Sequence, residues 1–232
     1  MSEARRLALV GGTFDPIHYG HLDAAEAARD ALGLHDVLLL PTNDPPHRPA
    51  RPHASAYHRF ALTALAINDR PGFCVTDLEL SRVGRSYTID TLEALHAQGW
   101  HASHLFFVLG ADAFAEIASW HRFPDVLDAA HFVVIARPGT SIESALARTP
   151  ALRDRLQTPE ALLRDVPGTG IFLVEARTRD VSSTHVRARL SAGLPIHDLV
   201  PPAVERHILA HHLYGAVDTL HGDDQPRKSA RT

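Results

Sequence analysis

Two histidines, His18 and His21, lie three residues apart in a glycine-rich stretch, residues 11–21, that reads GGTFDPIHYGH. An apolar run precedes this stretch, and a helical pattern follows it with one apolar face at Leu22, Ala25, Ala28 and Leu32. The pattern therefore predicts a strand, a turn and a helix start. Free backbone N–H groups and the helix dipole favour a phosphate at such a turn, and both imidazole groups can face the same ligand.

A second candidate phosphate site begins near residue 182. The run Ser182-Ser183-Thr184 is typical of a helix N-cap, and Arg187 follows one turn later on the same side of that helix. The nucleotide motifs GxxxxGK(S/T) and GxGxxG do not occur in the sequence. A glycine-rich turn with two histidines, combined with this distant Ser-Ser-Thr-x-x-Arg, suits a nucleoside triphosphate held at several of its phosphates.

The composition indicates a soluble globular protein. The 232 residues favour one domain, predicted at 1–214, followed by a polar tail at 215–232 that we expect to be disordered. A net charge of −4 argues against a broad nucleic-acid surface. The single cysteine, Cys74, is predicted to be a small core residue and excludes an internal disulfide. No apolar run approaches membrane-spanning length, so we expect a cytoplasmic protein without a membrane partner.

Strands and helices alternate along the chain, which predicts an α/β fold with a doubly wound, mostly parallel sheet and helices on both faces. The predicted strands are residues 6–10, 36–40, 73–78, 104–109, 131–136 and 171–174. The predicted helices are residues 20–32, 57–67, 86–98, 181–191 and 201–213, with short helices around Trp120 and two or three more within 142–166.

Two further features of this fold can carry ligand contacts. The segment Gly110-Ala111-Asp112 follows a predicted strand and presents a carboxylate at the carboxyl edge of the sheet, where doubly wound folds bind ligands. The proline-rich loop at residues 42–55 contains His47 and Arg48 as two potential cations.

The two phosphate motifs resemble those of a known family. Residues 11–21 resemble the GGTFDPIHxGH signature of bacterial nicotinate-nucleotide adenylyltransferases, in the HxGH nucleotidyltransferase superfamily. Residues 181–187 resemble the ISSTxIR motif of that family, with valine at both isoleucine positions. The resemblance runs from about residue 7 to residue 214 and implies a Rossmann-like nucleotidyltransferase fold.

Shorter segments carry the same resemblance. Arg82 with residues 86–92 is similar to the family's RxxxSYTxDTL segment, and residues 46–48 are similar to a PHK segment with arginine in place of lysine. Asp112, followed by Trp120, resembles its GxD motif and its substrate-side tryptophan. These segments occur in the family's order, which makes them more specific together than any one of them alone.

The resemblance implies transfer of AMP from ATP to nicotinate mononucleotide, which gives nicotinate adenine dinucleotide and pyrophosphate in NAD biosynthesis. The attacking group is then a phosphate that is already largely dianionic, with a second pKa of about 6, so no general base is needed. By the same resemblance Mg²⁺ arrives with ATP, and we expect no metal site built by the protein itself.

The resemblance also assigns roles to individual residues. Those expected to bind ATP are Gly11, Gly12, Thr13, Phe14, Asp15, His18, His21, Ser183, Thr184 and Arg187. His18, His21 and Arg187 are expected to be catalytic, and Asp15 either orients the turn or contacts the ligand. Those expected to bind substrate are Tyr87, Thr88, Asp112, Trp120, His47, Arg48 and Arg137. Trp120 either stacks on the pyridine ring or packs in the core, Asp112 faces a ribose or the mononucleotide, and Arg137 faces the adenine.

Several alternatives remain open at this stage. Pantetheine-phosphate adenylyltransferases and cytidylyltransferases share the HxGH pattern but lack the SYTIDTL segment and the tryptophan, and nicotinamide mononucleotide is a closer rival substrate. A nucleotide sensor could retain the pocket without chemistry. The 17 histidines include the pair His207 and His211 at helical spacing, but the sequence shows no third ligand nearby for a metalloprotein. Homo-oligomer formation is also open.

Overall fold

Seven parallel strands form one sheet in the described part of the chain. The computed structural model describes residues 5–46, 51–136, 142–163 and 168–216. The strands are β1 Leu7–Gly12, β2 Asp36–Pro41, β3 Phe73–Val75, β4 Leu105–Gly110, β5 His131–Ala136, β6 Leu156–Gln157 and β7 Ile171–Glu175. Their order across the sheet is β3-β2-β1-β4-β5-β7-β6, and each of the six pairings between neighbours is parallel. The predicted α/β class with a parallel sheet is confirmed.

Helices cover both faces of this sheet. They are α1 Tyr19–Leu32, α2 Ala56–Ala66, α3 Thr88–Ala97, α4 Ala111–Ala115, α5 Glu143–Arg148, α6 Ser183–Ser191 and α7 Pro202–Ala210. Alternate residues of β1 enter opposite cores, because side chains of a strand point to opposite faces in turn. Ala8 and Val10 pack in the core that includes residues of α1, α2, α6 and α7, whereas Leu7 and Leu9 pack with residues of α3, α4 and α5.

The position of β1 in the sheet creates the place for a ligand. The chain moves outward from β1 through β2 to β3, and then returns to pair β4 on the other side of β1. Connections on the two sides therefore leave the sheet in opposite directions. A crevice opens at the carboxyl ends of β1 and β4, as expected for a doubly wound fold.

The structure corrects some of the predicted elements. Strand β3 ends at Val75 rather than at residue 78, and Cys74 is exposed rather than buried. The reason is that β3 lies at the edge of the sheet and pairs only with β2. Strand β6 was not predicted, because two residues are too few for an alternating pattern. The described part of 142–166 otherwise contains α5 and two short 3₁₀ helices, Pro150–Arg155 and Pro159–Leu163, as expected.

The predicted tail falls largely outside the described residues, since 217–232 are not among them. Among the described residues, no helix is both long enough and apolar enough to span a membrane.

Candidate active site

Two cavities open on either side of the carboxyl ends of β1 and β4. The first, here called the histidine cavity, has a volume of about 400 Å³ and is lined by residues that include Gly11, His18, His21, Asp112, Ile135 and Arg179. The second, here called the tryptophan cavity, has a volume of about 270 Å³ and is lined by residues that include Thr13, Glu79, Tyr87, Thr88, Trp120 and His121. Gly11, Val108 and Leu109 line both cavities, so the two spaces meet at these strand ends.

The glycines at the end of β1 leave no room for side chains. A Cβ on Gly12 would lie 2.7 Å from the ring of Phe14, and one on Gly11 would lie 3.2 Å from the ring of Phe107. Phe14 itself is buried and has a positive φ of 48°, so the chain turns sharply before the first helix. The main chain is thereby brought to the cavity surface, where its N–H groups can meet a ligand.

His18 and His21 face the same cavity, as their spacing predicts. Their rings are stacked with centroids 3.7 Å apart, and the main-chain N–H of His18 donates to Nδ1 of His21 at 3.3 Å. His18 is 5% exposed, and its buried Nδ1 has no hydrogen-bond partner among the described residues. Burial lowers the pKa of His18 to about 4, so its imidazole is neutral at physiological pH.

Asp15 points away from the histidine cavity. Its carboxylate accepts hydrogen bonds from the main-chain N–H groups of His53 at 2.7 Å and Ala54 at 3.0 Å. Burial alone would raise the pKa of Asp15, but these hydrogen bonds hold the pKa below its usual value. Of the two expected roles, the geometry favours the structural one, in which Asp15 joins the turn to the loop before α2.

Helix α6 is fastened to the same turn. Ser182 caps the helix by accepting from the N–H of His185 at 3.1 Å, as the sequence predicts. Ser183 donates its hydroxyl to the carbonyl of Pro16 at 2.9 Å, and Arg187 donates to the carbonyl of Asp15 at 2.7 Å and to Thr184 Oγ1 at 3.3 Å. The two predicted phosphate motifs, distant in sequence, are thus brought together.

The tryptophan cavity contains the expected residues of the SYTIDTL segment. Thr88 is the first residue of α3, so the N-terminus of a ten-residue helix lies at this cavity. Trp120 is half-buried, with Phe107 edge-on to its ring at 5.8 Å between centroids. Tyr87 packs against His121, a residue that the sequence did not single out, with ring centroids 4.2 Å apart.

The remaining expected residues are placed as follows. Asp112 is exposed and lines the histidine cavity, whereas Tyr87 and Trp120 line the tryptophan cavity. Of its two expected ligands, this position therefore favours a ribose over the mononucleotide. His47, Arg48 and Arg137 lie outside the described residues.

Sequence reasoning missed three charged residues around the cavities. Arg59 is 1% exposed and donates to the carbonyls of Thr13 at 2.8 Å and Thr42 at 2.6 Å. The sequence did contain a signal for this role, since an arginine on the apolar face of a predicted helix needs hydrogen-bond partners in the protein interior. Glu79 is buried beside Thr91, which donates to it at 2.8 Å, and burial raises the pKa of Glu79. Arg179 lines the histidine cavity from the loop between β7 and α6.

No group of three or more His, Cys, Asp or Glu side chains is placed to hold a metal ion in the described parts of the chain. The His207 and His211 pair does gain a histidine neighbour, because Nδ1 of His58 lies 3.1 Å from Nε2 of His207. These rings pack where α2 meets α7, away from both cavities.

Comparison with known proteins agrees with the geometry. The family model described as cytidylyltransferase-like matches residues 9–189. A protein of Pectobacterium atrosepticum named "Probable nicotinate-nucleotide adenylyltransferase" is 44% identical over 211 residues, which cover 89% of this chain and 97% of that protein. A protein of the same name from Herpetosiphon aurantiacus is 41% identical, covering 90% of this chain and 98% of that protein.

A solved structure shows the same fold. It is that of the Plasmodium falciparum nicotinic acid mononucleotide adenylyltransferase complexed with NaAD, with a TM-score of 0.69 and 20% identity, covering 92% of this chain and 98% of that one. With strand order, paired motifs and curated relatives in agreement, the chain belongs to the cytidylyltransferase-like nucleotidyltransferases and, within them, to the nicotinate-nucleotide adenylyltransferase family.

Proposed function

We propose that this chain transfers the adenylyl group of ATP to nicotinate mononucleotide, forming nicotinate adenine dinucleotide and releasing pyrophosphate. The observation that carries the proposal is the pair of cavities that meet at Gly11, Val108 and Leu109. Adenylyl transfer needs the phosphate of one substrate in line with the α-phosphate of the other. Two adjoining cavities, one at each side of a phosphate-binding turn, suit that arrangement.

ATP is assigned to the histidine cavity. Its phosphates would lie against the end of β1 and the start of α1, where backbone N–H groups and the helix dipole favour negative charge. The unpartnered Nδ1 of His18 supports this assignment, because a buried polar atom without a partner is explained by a ligand group. In the tautomer with its proton on Nδ1, His18 donates to a phosphate oxygen. Asp112 lies on the same cavity and would accept from a ribose hydroxyl.

Nicotinate mononucleotide is assigned to the tryptophan cavity. The pyridine ring would stack on Trp120, and the carboxylate would accept from Thr88 and from main-chain N–H groups at the N-terminus of α3. An amide in the same position presents N–H donors to these donors, so the site should favour the acid. Contacts of His47 and Arg48 with the mononucleotide phosphate, and of Arg137 near the adenine, stay predictions.

The transfer step follows from this placement. A phosphate oxygen of the mononucleotide attacks the α-phosphorus of ATP, the new P–O bond forms, and the bond to pyrophosphate breaks. The attacking phosphate is already ionised, so the protein does not need to remove a proton. His18 and His21 stabilise the negative charge that develops on the α-phosphate and on the leaving pyrophosphate, and we expect Ser183, Thr184 and Arg187 to contribute from the start of α6.

A divalent ion fits this site as part of the nucleotide. Transfer from ATP generally uses such an ion to offset phosphate charge, and we propose Mg²⁺. Mg²⁺ prefers oxygen ligands and is usually held by substrate phosphates with one or two carboxylates. The histidine cavity presents imidazole and main-chain groups with Asp112 as its carboxylate, so the residues present fit an ion carried by ATP.

The proposal is tested by measuring pyrophosphate release from ATP with no second substrate, with nicotinate mononucleotide, and with nicotinamide mononucleotide. We expect release only when a mononucleotide is present, with kcat/KM at least tenfold higher for the acid. Equal values for the two mononucleotides would overturn the acid-selective assignment. ATP binding without any release would instead support a nucleotide sensor.

A further inference from the structure

Arg179 is held rigidly at the wall of the histidine cavity. Its guanidinium forms a bidentate pair with Asp23, with Nη2 to Oδ1 at 2.8 Å and Nε to Oδ2 at 3.0 Å. The main-chain N–H of Arg179 also donates to Asp23 Oδ2, at 2.9 Å. The loop before α6 is therefore fixed to α1 by three hydrogen bonds that converge on one carboxylate.

The guanidinium also has an aromatic partner on one face. Its Cζ lies 3.7 Å from the centroid of the Tyr19 ring, which is the close approach of a stacked cation. Tyr19 covers one face and Asp23 occupies one edge, while the side chain of Arg179 is still 48% exposed. The opposite face of a fixed, planar and permanently charged group is therefore open beside the cavity.

The position of Arg179 along the cavity indicates what lies against it. Its lining residues follow the order of the strands, from the turn after β1 to Asp112 after β4, Ile135 in β5, and Thr178 and Arg179 after β7. With the phosphates at the turn and the ribose at Asp112, the base is expected on the side of Ile135 and Arg179. We propose that the open face of Arg179 stacks on the adenine of ATP, so that Tyr19, Arg179 and the base form a three-layer stack. This inference rests on the proposed function, because it takes ATP as the occupant of the histidine cavity.

The stack gives distinct roles to the neighbouring residues. Arg179 is a binding residue, because it contacts the substrate. Asp23 is a positioning residue, since it acts through the guanidinium that it holds. A flat guanidinium stacks on any nucleobase by its π-face, and such contacts are commonly worth about tenfold or more in affinity. A lysine at the same position would keep the charge but lose the plane.

The test compares Arg179→Ala and Arg179→Lys with the wild-type protein in the pyrophosphate assay, with KM measured separately for each substrate. We expect both substitutions to raise KM for ATP about tenfold, with kcat and KM for nicotinate mononucleotide within threefold of wild type. Arg177→Ala is the matched control, since Arg177 is an exposed arginine of the same loop that does not line the cavity, and its KM for ATP should not change. Thermal unfolding of each variant checks that the fold is kept.

The outcomes separate this inference from the proposed function. An unchanged KM for ATP in Arg179→Ala would overturn the stack, while wild-type turnover would leave the function intact. Recovery of the wild-type KM in Arg179→Lys would also overturn it, because charge alone would then be sufficient. Asp23→Asn should raise KM for ATP by a smaller factor than Arg179→Ala, and that order supports the positioning role. A wild-type protein without turnover would defeat the proposed function first.

Discussion

Burial, rather than charge, defines the resting state of His18. His18 is 5% exposed, its ring is stacked on His21, and desolvation lowers its pKa to about 4. Two adjacent imidazolium ions would repel each other, so the neutral state is compatible with this stacking. With ATP bound as proposed, the negative charge of its phosphates favours the protonated form of His18 and strengthens its hydrogen bonds. His18 therefore adds no positive charge to the site before its ligand binds.

Substitution of Trp120 tests the assignment of the two substrates to different cavities. Replacing Trp120 by leucine should raise KM for nicotinate mononucleotide about tenfold, because the loss of an aromatic stacking partner typically costs about 1–3 kcal/mol. KM for ATP should change less than threefold, since Trp120 lines only the tryptophan cavity. Trp120→Phe should recover most of the loss. Equal increases in both KM values, measured from initial rates, would argue that Trp120 acts through packing.

At the scale of elements, three segments hold the glycine-rich turn in place. Helix α2 reaches it through Arg59 and helix α6 through Ser183 and Arg187, and the loop before α2 donates the N–H of His53 to the Asp15 carboxylate. The bonds from Arg59, Ser183 and Arg187 satisfy main-chain carbonyls that a sharp, buried turn would otherwise leave without partners. The turn is therefore positioned by elements that are distant from it in sequence.

Arg59 is the most deeply buried of these supports, and its substitution tests what it contributes. Arg59→Met leaves the carbonyls of Thr13 and Thr42 without their donor, so the free energy of unfolding should fall by about 3 kcal/mol. KM for both substrates should rise, because the turn borders both cavities. Urea unfolding and initial rates measure the two effects. Arg206→Ala, at an exposed position of α7, should change the stability by less than about 0.5 kcal/mol. A loss below about 1 kcal/mol in Arg59→Met would contradict the account.

At the scale of the whole molecule, the sequence predicted the parallel sheet because its strands are short apolar runs separated by helical patterns. The boundaries of β5 were predicted without error, since His131 to Ala136 is a fully buried run that follows a clear turn. The pairing of α6 with the turn could not be derived from spacing, because Ser183 and Pro16 are 167 residues apart in sequence. The single-domain assignment of 1–214 stays a prediction.

The sequence was least informative about side chains that bind other parts of the protein rather than a ligand. Asp15 was expected to face either the turn or the ligand, and only the structure shows its carboxylate on the N–H groups of His53 and Ala54. Arg179 was missed for a similar reason. Its partners, Tyr19 and Asp23, lie on a helix near the start of the chain, and no local pattern connects them.

Two histidines that are buried among the described residues make the protein sensitive to acid. Burial lowers the pKa of His18 and of His131 from 6.5 to about 4, so the unfolded chain takes up these protons before the folded one does. As far as these two histidines are concerned, the free energy of unfolding is highest above about pH 6.5 and falls as the pH decreases towards 4. Between pH 7.5 and 5.0 each histidine should cost roughly 2 kcal/mol of unfolding free energy.

His131→Asn tests this pH dependence outside the candidate site. The variant should be less stable at pH 7.5, because it loses the ring stacked on Phe106, but its stability should fall by about 2 kcal/mol less between pH 7.5 and 5.0. His101→Asn, at an exposed position, should keep the wild-type dependence. Urea unfolding at the two pH values measures both. If the unfolding free energy of His131→Asn falls as much between pH 7.5 and 5.0 as that of the wild type, then His131 is not a source of the pH dependence.

Adenylyl transfer is assigned to the cavity around His18, and turnover by His18→Ala tests this assignment. Wild-type protein should form nicotinate adenine dinucleotide and pyrophosphate in equal amounts from ATP and nicotinate mononucleotide. His18→Ala should fold and unfold like the wild type at pH 7.5 to within about 1–2 kcal/mol, while kcat falls by about 10²–10³, the usual loss when a transition-state donor is removed. Turnover of the folded variant within threefold of wild type would contradict the account.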